Sequence, residues 1–375
     1  MTQRSGIARL RLLIAVLATL ALVATACGSD DSDGDAADEQ SVDEQTAEEE
    51  PADEEPAAAE DGDADADDSE EQATEPVEAV IGIVNIAPVA ALELVHEGFT
   101  SGMDECVGVN ATIDYRNAEG DGAQLGPIVT AFLDDDVDMI LAISTPALQA
   151  TVGANEADGR GTPVLFGAVT NPFAAGAAAG PDDKPDWLTG WQADAPVGGM
   201  FDIAEAVNPD LATIGIAYDP SQVNAELAVE KMQAEADARG YTIETAVIGD
   251  SSEVGTAANS LAGRGVDVFF VPTDSILVNG LAGMVQVADD FDIPMIAQDS
   301  NIARAGAAIG TGLDYLGDGQ RNADYACEIL QGNATPADYP IQQFPEELVA
   351  YSSSAAAAQG FEVPEAVAAG AEDFG

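Results

Sequence analysis

The chain has 375 residues and a formal net charge of −58, from 69 Asp and Glu against 11 Lys and Arg. A surface this acidic repels nucleic acid and anionic headgroups, so functions built on a basic patch are excluded. One histidine and three cysteines give weak support to zinc or nucleophilic chemistry. No P-loop, GxSxG or HExxH occurs. No cofactor, no metal and no catalytic residue is expected. The many acids leave metal-assisted carboxylate chemistry as the alternative enzyme reading.

Taken in chain order, the first segment is a targeting signal. Arg4, Arg9 and Arg11 precede the apolar run Leu12–Ala24, which is short for a membrane-spanning helix. Residues 1–26 therefore read as a signal peptide. The run ends in "ATAC" at Cys27, which resembles the lipobox of bacterial lipoproteins, although Ala24 stands where Leu is usual. The resemblance implies that Cys27 is diacylated and becomes the new N-terminus. The alternative is an ordinary secretory cleavage site with an incidental cysteine. Residues 27–77 follow as an acidic linker. Twenty-three Asp or Glu and no Lys or Arg lie between Gly28 and Val77. With almost no large apolar side chain it cannot offset the entropy of folding, so it is expected to be disordered. Self-repulsion extends it, and even a random coil of this length spans roughly 40 Å. It reads as a spacer lifting a domain off the outer face of the cytoplasmic membrane.

From residue 78 onward, β-rich runs alternate with helical periodicity. "EAVIGIVNIA" is a strand, and "ALELVHEGFTSGMDECV" has helical spacing. "ATIDYRNA", "VDMILAIS" and "TPVLFGAV" continue as strands, separated by the helices "GAQLGPIVTAFLDDD" and "PALQATVGANE". After the Pro- and Asp-rich "PDDKPDWLTGW" the rhythm resumes at "LATIGIAYD" and runs through "VDVFFVP", a single helix "SILVNGLAGMVQVADDFD", and "IPMIAQD". Such alternation means parallel sheets with helical crossovers, arranged as two doubly wound lobes of an α/β protein. Ligands of such sheets bind beyond the carboxyl ends of the strands. Those ends are polar and turn-rich here: "NIAPVA", "NAEGDG", "ISTPA", "VTNPF", "YDPSQVN", "VPTDS", "AQDSN" and "TGLDY". The single histidine, His96, sits in the first helix and reads as structural. Cys106 and Cys327 form an even pair in an exported chain, which favours a disulfide over two buried thiols.

In this order the loops resemble the substrate-binding lipoproteins of ABC transporters related to tryptophan- and tyrosine-binding proteins. "ISTPALQA", "PVLFGAVTNPFAAG", "LTGWQADAPV", "IGIAYDPSQVNAE" and "IAQDSNIARAGAAIGTGLDYLGDGQRNADYACEILQG" are among the runs that carry the likeness, over about residues 78–367. The resemblance implies a type I periplasmic-binding-protein fold with three hinge crossings. Lobe one would be 78–189 plus 303–333, lobe two 190–302 plus 334–367, and 368–375 a C-terminal tail. Both Cys106 and Cys327 would then lie on lobe-one helices, which strengthens the disulfide expectation.

The candidate site follows from those strand ends. Thr145 is expected to cap the helix that Pro146 opens, leaving free N–H groups and a partial positive charge for a ligand carboxylate. Ser144 and Thr145 add hydroxyls, and Thr170 and Asn171 before Pro172 repeat the device. Plain capping is the competing reading of both. Asp274 and Asp299, at lobe-two strand ends, are candidate acceptors for a ligand ammonium, unless each only caps the next helix. Asn224 sits where the family usually has Asn and is expected to bond the ligand from lobe two, unless it is only a polar residue at a helix start. Asn85 shapes the first loop. Asp121 holds its own turn, and Asp314 and Tyr315 fall near the third crossing, where hinge and ligand roles compete. Trp191 follows "TG", where the family has a small or β-branched residue. It is expected either to stack on a planar ligand group or to pack the hinge.

These expectations describe a monomeric, lipid-anchored, non-enzymatic capture component. It would take up a small-molecule ligand, an apolar or aromatic amino acid, and work with a membrane permease and ATPase. A tethered sensor, or a binder of sugars or nucleosides, is the alternative.

Overall fold

A computed structural model describes residues 75–344 and 347–375. The expected signal peptide, Cys27 and all but the last residues of the acidic linker lie outside them. The first run of elements is β1 (Val77–Asn85), α1 (Ala90–Glu105), β2 (Val109–Asn117), α2 (Leu125–Asp134), β3 (Met139–Ile143), α3 (Thr145–Asp158), β4 (Val164–Val169) and β5 (Leu188–Gln192). The second is α4 (Gly198–Val207), β6 (Thr213–Tyr218), α5 (Val223–Arg239), β7 (Thr242–Val247), α6 (Val254–Ala262), β8 (Val268–Val271), α7 (Ser275–Asn279), α8 (Leu281–Phe291), β9 (Met295–Ala297) and β10 (Ile309–Leu313). The chain ends with α9 (Tyr315–Leu330), β11 (Gln342–Gln343), β12 (Glu347–Tyr351), α10 (Ser353–Ala358), α11 (Glu365–Ala368) and β13 (Glu372–Asp373).

Two sheets result, ordered β11-β5-β4-β3-β1-β2 and β13-β12-β10-β9-β8-β6-β7. All pairs of the first are parallel. Helices cover both faces, so a central strand such as β3 is buried at every position and reads as an unbroken apolar run. Lobe two has an apolar cluster on each face of its sheet, one around Leu261 and Met284, the other around Phe201 and Met232. One pairing departs from the all-parallel expectation, since β12 runs antiparallel to β10. Only a helical crossover over the same sheet forces parallel pairing. β12 instead enters from β11 of the other sheet, so either direction is open to it.

The expected segment boundaries are corrected. β5, with Trp191, and β11 belong to the first sheet, whereas β10 belongs to the second. The chain therefore crosses between β5 and α4, at Asp314 between β10 and α9, and between β11 and β12, not at 189, 302 and 333. Asp314 and Tyr315 thus mark the second crossing. The signal for β10 is masked by Gly310 and Gly312, which argue against a strand in sequence. A Cβ on Gly310 would stand 2.3 Å from the Asp299 carbonyl oxygen, and one on Gly312 2.8 Å from Asp299 Cα. The glycines let the 3-10 turn Ser300–Ala305 lie directly on the strand. The expected tail is also no tail, because Glu372 and Asp373 pair with Ala350 and Tyr351 of β12, and the Arg304 guanidinium lies 3.5 Å above the Phe374 ring. The single helix expected over 275–292 is split at Gly280, where a Cβ would stand 2.2 Å from the Ser251 carbonyl oxygen.

α1 and α9 are packed backbone to backbone in lobe one. A Cβ on Gly98 would stand 2.1 Å from Leu316 O, and one on Gly319 2.2 Å from Val95 O. A disulfide joins Cys106, just past α1, to Cys327 of α9, with Cα atoms 5.8 Å apart.

Candidate functional site

The carboxyl ends of β3 and β4 face those of β8 and β9 across a cavity between the lobes. The lobes touch, with α1 against the turn 300–305 and α3 against α5. Ser144, Thr145 and Thr170 line the cavity from lobe one, and Asn224, Thr273, Asp274 and Asp299 from lobe two. Val89, Leu92, Val278, Ile302 and Tyr315 supply an apolar wall. A second cavity, sharing Pro146, Gln222 and Ser275 with the first, is bordered by Glu119, Asp121, Asp219 and Asp250. Asp121 there holds its own turn, accepting the Ala123 N–H at 3.0 Å.

At the end of β3 the helix cap is shifted by one residue from expectation. Ser144, not Thr145, is the N-cap, its Oγ accepting the Ala147 N–H at 3.4 Å, and Pro146 falls inside the first turn. That long bond leaves the first N–H groups of α3 weakly occupied. Ser144 adopts φ 97° and ψ 156°, a region that favours glycine and costs about 1–3 kcal/mol for other residues. Its N–H donates to Gly167 O at 3.0 Å, which ties the ends of β3 and β4 together. Thr145 is then free of the cap, and its Oγ1 is buried with no partner among the described residues. The same holds for Asn224 Oδ1 and Thr273 Oγ1 across the cavity. A buried polar atom without a partner costs about 1–3 kcal/mol, and three of those among the described residues border this one cavity.

The two aspartates differ. Asp274 is fully occupied: Oδ1 accepts from Ile276 N at 2.9 Å, Leu277 N at 3.0 Å and Gln222 Nε2 at 2.8 Å, and Oδ2 from Asp219 N at 2.6 Å. Burial raises its pKa, and the backbone and Gln222 bonds oppose that. It caps α7 and braces lobe two. Asp299 caps the turn 300–305 through Oδ1, which accepts Asn301 N at 2.8 Å and Asn301 Nδ2 at 3.2 Å. Its Oδ2 carries no hydrogen bond from the described residues. Burial pushes Asp299 up to about 6, against those two bonds. No Lys or Arg lines the cavity.

Three candidates do not reach the cavity. Asn85 is buried under the first loop, where Nδ2 donates to Glu93 at 3.2 Å and to Tyr115 OH at 3.0 Å, and Oδ1 accepts the Ala87 N–H. The same cluster holds His96, stacked on Tyr115 at 4.0 Å. Asn171 caps a turn, not a helix, since Oδ1 accepts Phe173 N at 3.1 Å and Ala174 N at 2.9 Å and no helix follows. Trp191 points into lobe one beside the crossing, stacked on Tyr325 at 5.7 Å and edge-on to Phe344 at 6.2 Å, with Arg321 over its ring. Strand alternation turns it away from the cleft once β5 is a strand. Sequence reasoning missed Gln222 and Thr273. Their signal lay in "SQVN" and "VPTDS", where the hydrogen-bonding residues stand beside the ones singled out.

A two-lobed α/β fold with a polar cavity between its sheets defines a ligand-capturing protein, and the comparisons with known proteins agree. Residues 80–374 match the family model described as ABC transporter substrate binding protein, and the chain belongs to that family. It is 29% identical over 269 residues to the tyrosine-binding protein of Clostridioides difficile, covering 71% of this chain and 76% of that one. It also resembles the solved ABC domain in complex with L-Trp from Streptococcus pneumoniae, at 25% identity and a TM-score of 0.72 over 79% of this chain and 99% of that one. The ligand-free, open structure of a substrate-binding protein with adhesive properties from Clostridium difficile matches over the same shares at 28% identity, with a TM-score of 0.59. The better fit to the liganded relative, despite lower identity, accords with lobes that meet here. The chain is a non-enzymatic solute-binding protein that works with an ABC transporter. Among the described residues no helix is long and apolar enough to cross a membrane.

Proposed function

We propose that the protein captures an L-amino acid with an apolar or aromatic side chain between its lobes and delivers it to a membrane permease and ATPase. The observation that carries this reading is the set of partnerless buried polar atoms, Thr145 Oγ1, Asn224 Oδ1 and Thr273 Oγ1, beside an apolar wall. The ligand carboxylate sits at the start of α3, on the Thr145 hydroxyl and the loosely held Ala147 N–H, where the helix dipole favours an anion. The ammonium donates to Asp299 Oδ2 in a charge-assisted bond. Asn224 and Thr273 complete the polar shell. The side chain lies against Val89, Leu92, Val278, Ile302 and Tyr315. Contacts from both lobes exist only in the closed form, so ligand selects closure. The tyrosine- and tryptophan-binding relatives support the ligand class.

The protein is further proposed to act as a monomer held outside the cell by a diacylated Cys27, with the acidic linker 27–77 as spacer. Membrane fractionation of the wild type and Cys27→Ser tests the anchor, and release of the variant into the medium is expected. Thermal denaturation with a panel of amino acids, sugars and nucleosides tests the ligand. The reading predicts a rise in melting temperature with tyrosine, tryptophan or another bulky apolar amino acid. A rise confined to sugars or nucleosides would leave the fold and remove the ligand class.

A further inference from the structure

Behind the cavity wall, α9 reaches the end of β4 through a buried carboxylate. Asp318 is 1% exposed. Its Oδ2 accepts the Ala168 N–H at 2.7 Å, and its Oδ1 accepts Asn322 Nδ2 at 2.9 Å, which fixes the rotamer. Ala168 has φ 52°, left-handed backbone that costs an alanine roughly 1–2 kcal/mol. The pairing of β4 with β5 shifts register between Phe166 and Val169, so this strand end leaves the regular ladder, and its amide is free to turn toward α9. Gly167 makes room, since a Cβ there would stand 2.7 Å from Val95 Cγ1 and 3.2 Å from Asp318 Oδ2. The displaced backbone carries Ala168 and Thr170 into the cavity lining, and Gly167 O holds Ser144.

We propose that Asp318 is a positioning residue of the ligand site: its bond to the Ala168 amide holds the left-handed end of β4 and so sets Thr170 and Ser144 around the ligand. It touches no ligand itself. It stands one turn past the second crossing, so the helix that leaves the hinge also shapes the pocket. Burial pushes the Asp318 carboxyl up to about 7, against the bonds from Ala168 and Asn322. The binding consequence rests on the amino-acid reading above.

The test uses amide hydrogen exchange over 167–171 in the free protein and L-tyrosine affinity by calorimetry. Asp318→Ala is expected to speed exchange at 167–171 at least tenfold and to weaken L-tyrosine binding at least tenfold. Asp318→Asn, whose Oδ1 still accepts the Ala168 N–H while a turned Asn322 amide accepts its Nδ2, is expected within threefold of wild type in both. Adding Ala168→Gly to Asp318→Ala is expected to recover a large part of the affinity, because glycine adopts this φ without strain. If Asp318→Ala does not fold, Asn322→Leu, which removes the amide orienting the carboxylate, is expected to give the same changes at about threefold. Unchanged affinity with faster exchange overturns the proposal, as does unchanged exchange, or a loss that neither Asn nor the glycine recovers. If wild-type protein ignores L-tyrosine but binds L-tryptophan, the affinity arm is run with L-tryptophan; if it binds neither, the amino-acid reading fails, and exchange at 167–171 alone decides whether Asp318 holds the strand end.

Discussion

Replacing Asp299 by Asn pulls stability and binding in opposite directions. Burial holds this carboxyl at about 6, against 3.8 for a free one. Between those values the folded protein keeps a proton that the unfolded chain has lost, so stability falls as pH rises. Above pH 6 the full penalty applies, and the gap corresponds to roughly 3 kcal/mol. Asparagine keeps an oxygen for the Asn301 N–H and has no charge to bury. For a folded body of this size, 3 kcal/mol is about 5 °C in melting temperature. Ligand-free Asp299→Asn is therefore expected to melt about 5 °C above wild type at pH 8 and level with it at pH 4. Affinity moves the other way. Losing a charge-assisted bond to the ammonium costs about 1.5–3 kcal/mol, or roughly 10- to 150-fold in Kd. Calorimetric titration with L-tyrosine and scanning calorimetry at both pH values supply the numbers. A variant that is more stable at pH 8 but binds as tightly as wild type would make Asp299 a turn cap and place the ammonium elsewhere. A variant that is less stable at pH 8 would refute the burial argument itself.

Changing Ser144 and Thr145 together to Ala should cost little stability, because Ser144 caps at 3.4 Å and Thr145 Oγ1 has no partner. It should weaken ligand binding by about 3 kcal/mol, near 150-fold, if both hydroxyls serve the carboxylate. Equal affinity by calorimetry would return the motif to simple capping. Trp191→Ala should cost about 3–5 kcal/mol in denaturant unfolding while leaving Kd within threefold, and a large Kd change with unaltered stability would put the indole back at the ligand. Replacing Cys106 and Cys327 by Ser opens a loop with a sequence separation of 221. Chain entropy then gives about 5 kcal/mol as the loss, read as a melting temperature about 8 °C lower; no loss would mean that the α1–α9 glycine packing alone suffices.

The alternation of strand and helix was legible because its signal, buried apolar runs such as β3 between amphipathic helices, is local. The crossings were not, because which sheet β10 joins is set by its pairing with β9 and β12, contacts invisible in sequence. β5 was hidden in the same way, within a segment whose Pro and Asp content argued for a linker. At the site, residues at strand ends were found by position, and Ser144, Thr145, Thr170, Asn224, Asp274 and Asp299 do meet at one cavity. Their division of labour was not readable. Which aspartate is saturated depends on Gln222 and the Asp219 amide reaching Asp274 from another loop. The sequence left Trp191 open between ligand and hinge packing, because its neighbours Tyr325 and Phe344 come from distant segments. Asp318 was overlooked because nothing in "YLGDGQ" tells that its carboxylate faces an amide 150 residues upstream.

The central claim is that a zwitterionic amino acid is held at both of its charged ends between the lobes. Calorimetric titration of the purified protein with L-tyrosine, L-tryptophan, tyramine and ribose tests it most directly. The account predicts saturable one-to-one binding of at least one of the two amino acids, loss of most of that affinity with tyramine, which lacks the carboxylate, and no binding of ribose. Saturable ribose binding with no response to either amino acid, or tyramine bound as tightly as tyrosine, would contradict it.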